Sequence, residues 1–206
     1  LRDFKGIHAE LDNLMLENGF FRVAMPDTNI VDNISCKDDT SFISKLSANS
    51  RKHFVRNISR HRDKFDIVIP EVYNEKDIEY WYQLYLNVKN NNLGLNTFPL
   101  PYSAFRKLLT NKKWEVVLLN LKEEYAGTNE TVCMIFIYKA TNVYVPMIIG
   151  FNYQYNKDFK IYRQALYQIT KRAITLGYKK IYFGFSANIE KKKMGAIAHP
   201  VYAYMQ

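Results

Sequence analysis

The chain has 206 residues, 48% of them apolar and 24% charged, a globular composition that suits one large domain and excludes wholesale disorder. No apolar run approaches the roughly 18 residues of a transmembrane helix, and two cysteines, Cys36 and Cys133, exclude a disulfide framework or a zinc site and make a reducing, cytoplasmic setting the default. Basic residues outnumber acidic ones 29 to 20, a net charge of +9 that points to a polyanionic ligand: a phosphorylated cofactor, RNA or a membrane surface.

The start, Leu1-Arg2-Asp3-Phe4, has neither an initiator Met nor a secretory signal, so the sequence reads as part of a longer protein. A first helix is expected over 5–18, from the spacing of Ile7, Leu11, Leu14 and Met15, with Asn18-Gly19 as its stop. Phe20 to Ala24 reads as a strand that Met25-Pro26-Asp27 breaks. Residues 41–64 read as helical with a break near 47–50, where Asn49 or Ser50 supplies a cap. Lys52, Arg56, Arg60 and Lys64 recur at i,i+4 and predict one cationic stripe. A short strand, 65–69, ends at Pro70.

A helix over 75–90 carries Ile78, Trp81, Tyr82, Tyr85 and Val88 on one face, and Pro101 opens a shorter helix through Phe105 and Leu109. The period then changes to two. Segments 115–121, 132–138 and 143–150 predict three strands of an antiparallel meander. Residues 159–176 predict a long amphipathic helix that buries Tyr162, Leu166, Ile169 and Ala173, with Gly177 as its stop. Strands are expected at 180–185 and 201–205, with a small-residue turn at Gly195-Ala196 between them. The order predicts an α+β fold: a mixed, mostly antiparallel sheet flanked by helices.

Charge is concentrated in two segments. Residues 45–64 carry a local +6 and residues 157–206 a local +8, while the remainder sums to −5. The sequence has no Walker-type phosphate loop, dinucleotide glycine fingerprint, His-Glu-x-x-His or Gly-x-Ser-x-Gly. The four histidines, His8, His53, His61 and His199, have no ligand spacing, so they read as structural or exposed, and no metal is expected. The informative feature is a strand ending at Gly150 that runs through 152–157 into the N-terminus of the 159–176 helix. A helix N-terminus offers unpaired N–H groups and positive potential to a pyrophosphate, here supplemented by Asn156, Lys157 and Lys160, with Gly150 permitting close backbone approach.

Several segments in order carry a family resemblance. They are the basic helix Ser47-Ala48-Asn49-Ser50-Arg51-Lys52-His53-Phe54-Val55-Arg56, then Trp81-Tyr82-Gln83-Leu84-Tyr85, then Gly150-Phe151-Asn152. Tyr162-Arg163-Gln164-Ala165-Leu166, Ala173-Ile174-Thr175-Leu176-Gly177, Phe183-Gly184-Phe185-Ser186 and Lys191 ahead of Gly195-Ala196 complete the set. Over 41–206 this resembles the GCN5-related N-acyltransferase (GNAT) superfamily. Within it, the segments resemble the branch with the peptidoglycan Fem aminoacyltransferases and the acyltransferase domains associated with 8-amino-7-oxononanoate-synthase-like enzymes. Residues 1–40 then read as the tail of a preceding half-domain or an N-terminal extension.

The resemblance implies transfer of an acyl group from acyl-CoA, with acetyl-CoA one candidate, or from an acyl carrier protein to an amine acceptor. Its alternatives are a tRNA-dependent aminoacyltransferase of Fem type and a non-catalytic RNA-binding or scaffold module. It makes Tyr162 the preferred acid for the departing thiolate and Tyr153 the second, with Asn152 fixing a carbonyl. Arg51 and Arg56 would contact donor phosphates or merely brace the domain, Trp81 and Tyr85 would line the substrate side, and Lys191 would meet a substrate phosphate or carboxylate. The sequence departs from the superfamily in one respect: its pyrophosphate loop is glycine-rich, and 152–160 contains no glycine.

Overall fold

Strands that are apolar on both faces need helices on both sides, and the chain builds that three-layer arrangement. The computed structural model describes residues 1–6, 8–91 and 98–206; Ile7, counted above on the first helix, lies outside them. In chain order the elements are β1 (Phe4–Lys5), α1 (Ala9–Glu17), β2 (Phe21–Asp32), α2 (Asp39–Lys45) and α3 (Ala48–Phe54). A π-helical turn (Val55–Ser59) and a 3-10 turn (Arg62–Lys64) lead to β3 (Phe65–Val68), α4 (Glu75–Asn91) and α5 (Tyr102–Leu108). Then come β4 (Trp114–Leu121), α6 (Glu123–Ala126), β5 (Glu130–Lys139), β6 (Val143–Phe151), α7 (Tyr153–Phe159) and α8 (Ile161–Thr175). The last elements are β7 (Lys180–Gly184), α9 (Asn188–Lys193) and β8 (Ile197–Met205).

The strands form one eight-stranded sheet in the order β1-β8-β2-β7-β6-β5-β4-β3, antiparallel except at β6–β7. Alternation divides the core. Val117, Leu119, Leu121, Cys133, Ile135 and Ile137 face α2, α3 and α8. Val116, Leu118, Met134 and Phe136 face Ile78, Trp81, Leu84 and Tyr85 of α4 and Phe105 of α5. Of the four α8 residues expected inside, Leu166, Ile169 and Ala173 are buried and Tyr162 is half-buried.

Four local expectations change. Pro26 does not end the first strand: β2 runs on to Asp32, and the register against β8 shifts between Met25 and Thr28, so a bulge absorbs the proline. The segment 1–40 thereby supplies a strand that lies between β8 and β7, in the same sheet as 41–206. The 41–64 helix breaks at Ser47, whose hydroxyl, rather than Asn49 or Ser50, caps α3 by accepting from Ser50 N. The π-turn then adds a residue to the helical repeat and ends the i,i+4 stripe. Lys52, Arg56 and Arg60 remain together, whereas Lys64 turns away to sit over the rings of Tyr125 and Phe159, at 4.9 and 5.2 Å. Finally, the loop expected before the long helix is itself helical (α7), and Lys160 in the left-handed conformation (φ 56°) joins α7 to α8.

Candidate active site at a split between parallel strands

β6 and β7 pair only through Val143–Lys180 and Tyr144–Ile181. Past that point each strand follows its other neighbour, β6 along β5 as far as Phe151–Cys133 and β7 along β2 as far as Asn29–Gly184. The sequence supplies the cause. Pro146 has no N–H to donate, Met147 is extra against β5, and the β6–β5 register shifts there. The β2–β7 register likewise shifts between Asn29 and Ile30. Bulges on both sides bend the two strands apart. A parallel pair opened in this way presents backbone N–H and C=O groups to a gap, which suits the polarisation of an acyl carbonyl.

The end of β6 gathers both candidate acids. Phe151 has Tyr153 at 4.5 Å and Tyr162 at 6.3 Å between ring centroids. Tyr153 is exposed; Tyr162 is not, and burial, with the charge of Glu190 second, pushes its hydroxyl pKa upward so that it stays protonated. Asn152 caps α7, accepting from Gln154 N at 3.0 Å and reaching Glu130 at 3.4 Å. Asn156 Oδ1 accepts from Tyr162 N at 3.1 Å, so one of the first N–H groups of α8 is already paired within the protein.

Behind Tyr162 lies a charge cluster that sequence reading missed. Arg163 donates two bonds to Glu190, at 2.8 and 2.7 Å, and a third to Asn57 Oδ1 at 3.1 Å. His53 Nε2 lies 3.4 Å from the same carboxylate, and His53 Nδ1 is buried without a partner among the described residues. The Arg163 bonds hold the Glu190 pKa below the ordinary value, and burial lowers that of His53. The residues come from α3, the π-turn, α8 and α9, so no local spacing could have announced them.

The other wall is the turn after β7. Gly184, Ser186 and Ala187 all have positive φ (69°, 60° and 49°), a strained path for the last two. Lys191 holds it: its buried ammonium donates to the carbonyls of Phe183 at 2.9 Å, Gly184 at 3.2 Å and Phe185. Asn29, buried in β2, bonds Gly184 O at 3.0 Å and Asn188 at 2.8 Å. Lys191, expected to meet a substrate anion, thus has its three donors engaged inside the protein. Asn29 stands among Asp27, Thr28 and Asp32 in the sequence, so nothing local announced it.

The remaining expected site residues divide. Trp81 and Tyr85 are core residues rather than a substrate surface: Trp81 packs on Tyr73 at 5.5 Å, and the Tyr85 hydroxyl accepts from Leu100 N at 2.8 Å. Gly150 does permit a close approach, but of α4: a Cβ there would meet Tyr85 N at 2.4 Å and Leu84 C at 2.5 Å. Arg51 braces the α2–α3 corner through Ser44 O, at 3.2 Å, and Leu46 O. Arg56 lines a shallow basic hollow of about 500 Å3 with Arg51, Lys52, Arg60 and the exposed Val55. Lys157 is exposed, and Lys160 bonds its carbonyl. His61, its pKa lowered by burial and then by Lys64, Lys160 and Arg60, marks where the two basic segments of the sequence meet. Among the described residues no group of three or more His, Cys, Asp or Glu side chains is placed to hold a metal, and no helix is long and apolar enough to cross a membrane.

The acetyltransferase (GNAT) domain profile matches residues 49–192 of this sequence. The chain belongs to the GNAT family. Solved structures similar to this GNAT domain include L-PGS from Bacillus licheniformis, at 13% identity and a TM-score of 0.60, covering 98% of this chain and 66% of that one. FemX aligns at 10% identity and a TM-score of 0.65, with 96% and 69% covered. A GCN5-related N-acetyltransferase from Kribbella flavida aligns at 11% and 0.53, with 95% and 63% covered. At these identities the likeness is one of fold, and the GNAT domain spans about two thirds of each neighbour's length. Comparison with curated proteins finds no match.

Proposed function

We propose that this GNAT domain transfers an acyl group from an activated carrier to an amine, with the donor carbonyl held in the gap between β6 and β7. The observation that carries the reading is the two-residue β6–β7 pairing, with Tyr162 and Tyr153 gathered at the open end. A neutral amine attacks the carbonyl carbon, the C–N bond forms, and the bond from carbon to the leaving sulfur or oxygen breaks. Backbone N–H groups at the gap stabilise the oxyanion, the Tyr162 hydroxyl gives its proton to the leaving atom, and the proton released by the attacking nitrogen returns through water to the tyrosinate. Glu190 and Arg163 position the first turn of α8, which carries Tyr162. A cytoplasmic setting is part of the same proposal, in keeping with two unpaired cysteines.

Acyl-CoA is the first donor considered, and the residues fit it incompletely. The segment before α8 is a helix without glycine, and Asn156 already occupies Tyr162 N. A specific observation favours a second donor, an aminoacyl ester of tRNA. The basic hollow at Arg56 and the group around His61 and Lys160 make a cationic band that ends at the first turn of α8. A tyrosine with a raised pKa also matches the strongly basic alkoxide that an ester releases better than it matches a thiolate.

Single-turnover assays with acetyl-CoA and with aminoacyl-tRNA, on the parent chain and on Tyr162→Phe, test both levels of the proposal. The expected result is turnover with one donor and a loss on the order of a hundredfold in Tyr162→Phe with donor binding unchanged. Full activity of Tyr162→Phe removes Tyr162 from the chemistry. Absence of binding and turnover with both donors at millimolar and micromolar concentration, respectively, rejects the proposal.

A further inference from the structure

A second concavity lies away from the split strands. On the α8 face of the sheet, the C-terminal half of α8 and the edge strands β3 and β4 enclose a groove of about 660 Å3. The β6–β7 gap adjoins the other end of α8, and β5 separates β6 from this edge of the sheet. None of the residues discussed for acyl transfer lines it.

The lining is apolar on one side. Phe65, Ile67 and Ile69 alternate along the edge strand and its extension, so they share one face, and Val117 of β4 lies beside them. Ile67 and Ile69 keep more than a third of their surface exposed, because no helix of the described residues covers the sheet at this edge. The opposite side is cationic. Its acidic groups are already engaged: Asp39 accepts from the Tyr167 hydroxyl, and Asp63 sits 3.4 Å from Arg62. Arg172 is paired with Glu115 at 3.0 Å. Lys122 and Lys171 line the groove with no carboxylate partner among the described residues. Gln168 also lines it. That residue is only 8% exposed, and its amide, which makes no hydrogen bond among the described residues, opens to the groove.

An amide that opens to the groove can donate to an anionic head group, and an apolar edge beside two uncompensated ammonium groups is electrostatically incomplete. One class of molecule satisfies all three features. We propose that this groove binds a small amphipathic anion: the apolar body lies on Ile67, Ile69 and Val117, and the head group takes Lys122, Lys171 and the Gln168 NH2. A carboxylate and a phosphate monoester share this head-group chemistry. The site is separate from the acyl-transfer reading and does not depend on it.

Calorimetric titration of the intact chain with octanoate, octyl phosphate and octylamine, at fixed ionic strength and below micellar concentrations, tests the assignment. NMR of the glutamine side-chain amides reports on Gln168 directly. At least one of the two anions is expected to bind saturably and shift the Gln168 NH2 resonances, while octylamine does not. Binding of octanoate alone identifies a carboxylate ligand, and tighter binding of octyl phosphate identifies a phosphate ester. Lys171 is exposed, so Lys171→Glu leaves folding intact and is expected to weaken binding about tenfold or more. Gln168→Leu is expected to weaken binding while leaving Tm unchanged. Failure of both anions to bind at millimolar concentration, equal binding of octylamine, or undiminished affinity in Lys171→Glu overturns the proposal.

Discussion

Gly150→Ala separates a packing role for this glycine from a role in the donor site. The added Cβ would lie 2.4 Å from Tyr85 N, 2.5 Å from Leu84 C and 2.8 Å from Leu84 O. All three are backbone atoms of α4, so no flexible side chain can swing aside. Gly150 does not have a positive φ, so alanine brings no backbone strain of its own and the cost is steric. Restoring ordinary contact requires α4 to move away from β6 by roughly 1 Å, enough to forfeit a quarter to a half of the dispersion energy at the affected contacts. Trp81, Leu84 and Tyr85 ride on α4 and would leave their packing against Phe105 and Phe136. Overpacking of this kind costs about 3 kcal/mol. In a chain of this length that lowers Tm by about 6–12 °C. Thermal and urea melts followed by circular dichroism measure it. A Gly150→Ala protein as stable as the parent would refute the α4–β6 packing described here. If that protein also showed weakened donor binding, the glycine would belong to the donor site after all.

Three further outcomes are expected. Lys191→Met keeps the apolar stem but removes three bonds to the carbonyls of 183–185, so it should cost about 3 kcal/mol. Burial pulls the Lys191 pKa down to about 8, so the unfolded chain holds that proton more tightly. Stability of the parent relative to Lys191→Met should therefore rise from about pH 8 to pH 10 in urea melts, and a flat difference would show that the three carbonyl bonds offset the burial. His53 has the same sign at lower pH. Burial lowers its pKa, Glu190 opposes the shift, and Arg163, Lys193 and Arg56 reinforce it. The unfolded state therefore takes the proton first, and stability should fall as pH drops below about 6.5, a decline that His53→Gln flattens. Replacing Arg56 and Arg60 together by alanine should weaken binding of single-stranded RNA and make the plot of log K against log salt shallower by between about 1 and 2. An unchanged slope would leave the hollow a solvated surface.

Periodicity is a local property, and wherever an element is set by local periodicity the sequence alone determined it. The repeat of Ala165, Leu166, Ile169 and Ala173 specified α8, and alternation through 115–150 specified β4, β5 and β6 as a meander, because burial on a face selects residues at the period of the backbone. The concentration of charge in 45–64 and 157–206 was also legible, as was the family, which rests on segments in order. Tertiary structure decided what depends on partners distant in the chain. Pro26 looked like a strand end because propensity is local, yet pairing with β8 and β7 carries β2 past it on a bulge. Lys64 left the cationic stripe because a π-turn changed the helical repeat, which composition does not encode. The Arg163–Glu190–His53 cluster joins residues up to 137 positions apart, and the Lys191 ammonium finds its acceptors only where β7 ends in a left-handed turn. Gly150 shows the limit most directly. A glycine at the end of a strand announces a close approach, but only the packed α4 backbone says what comes close.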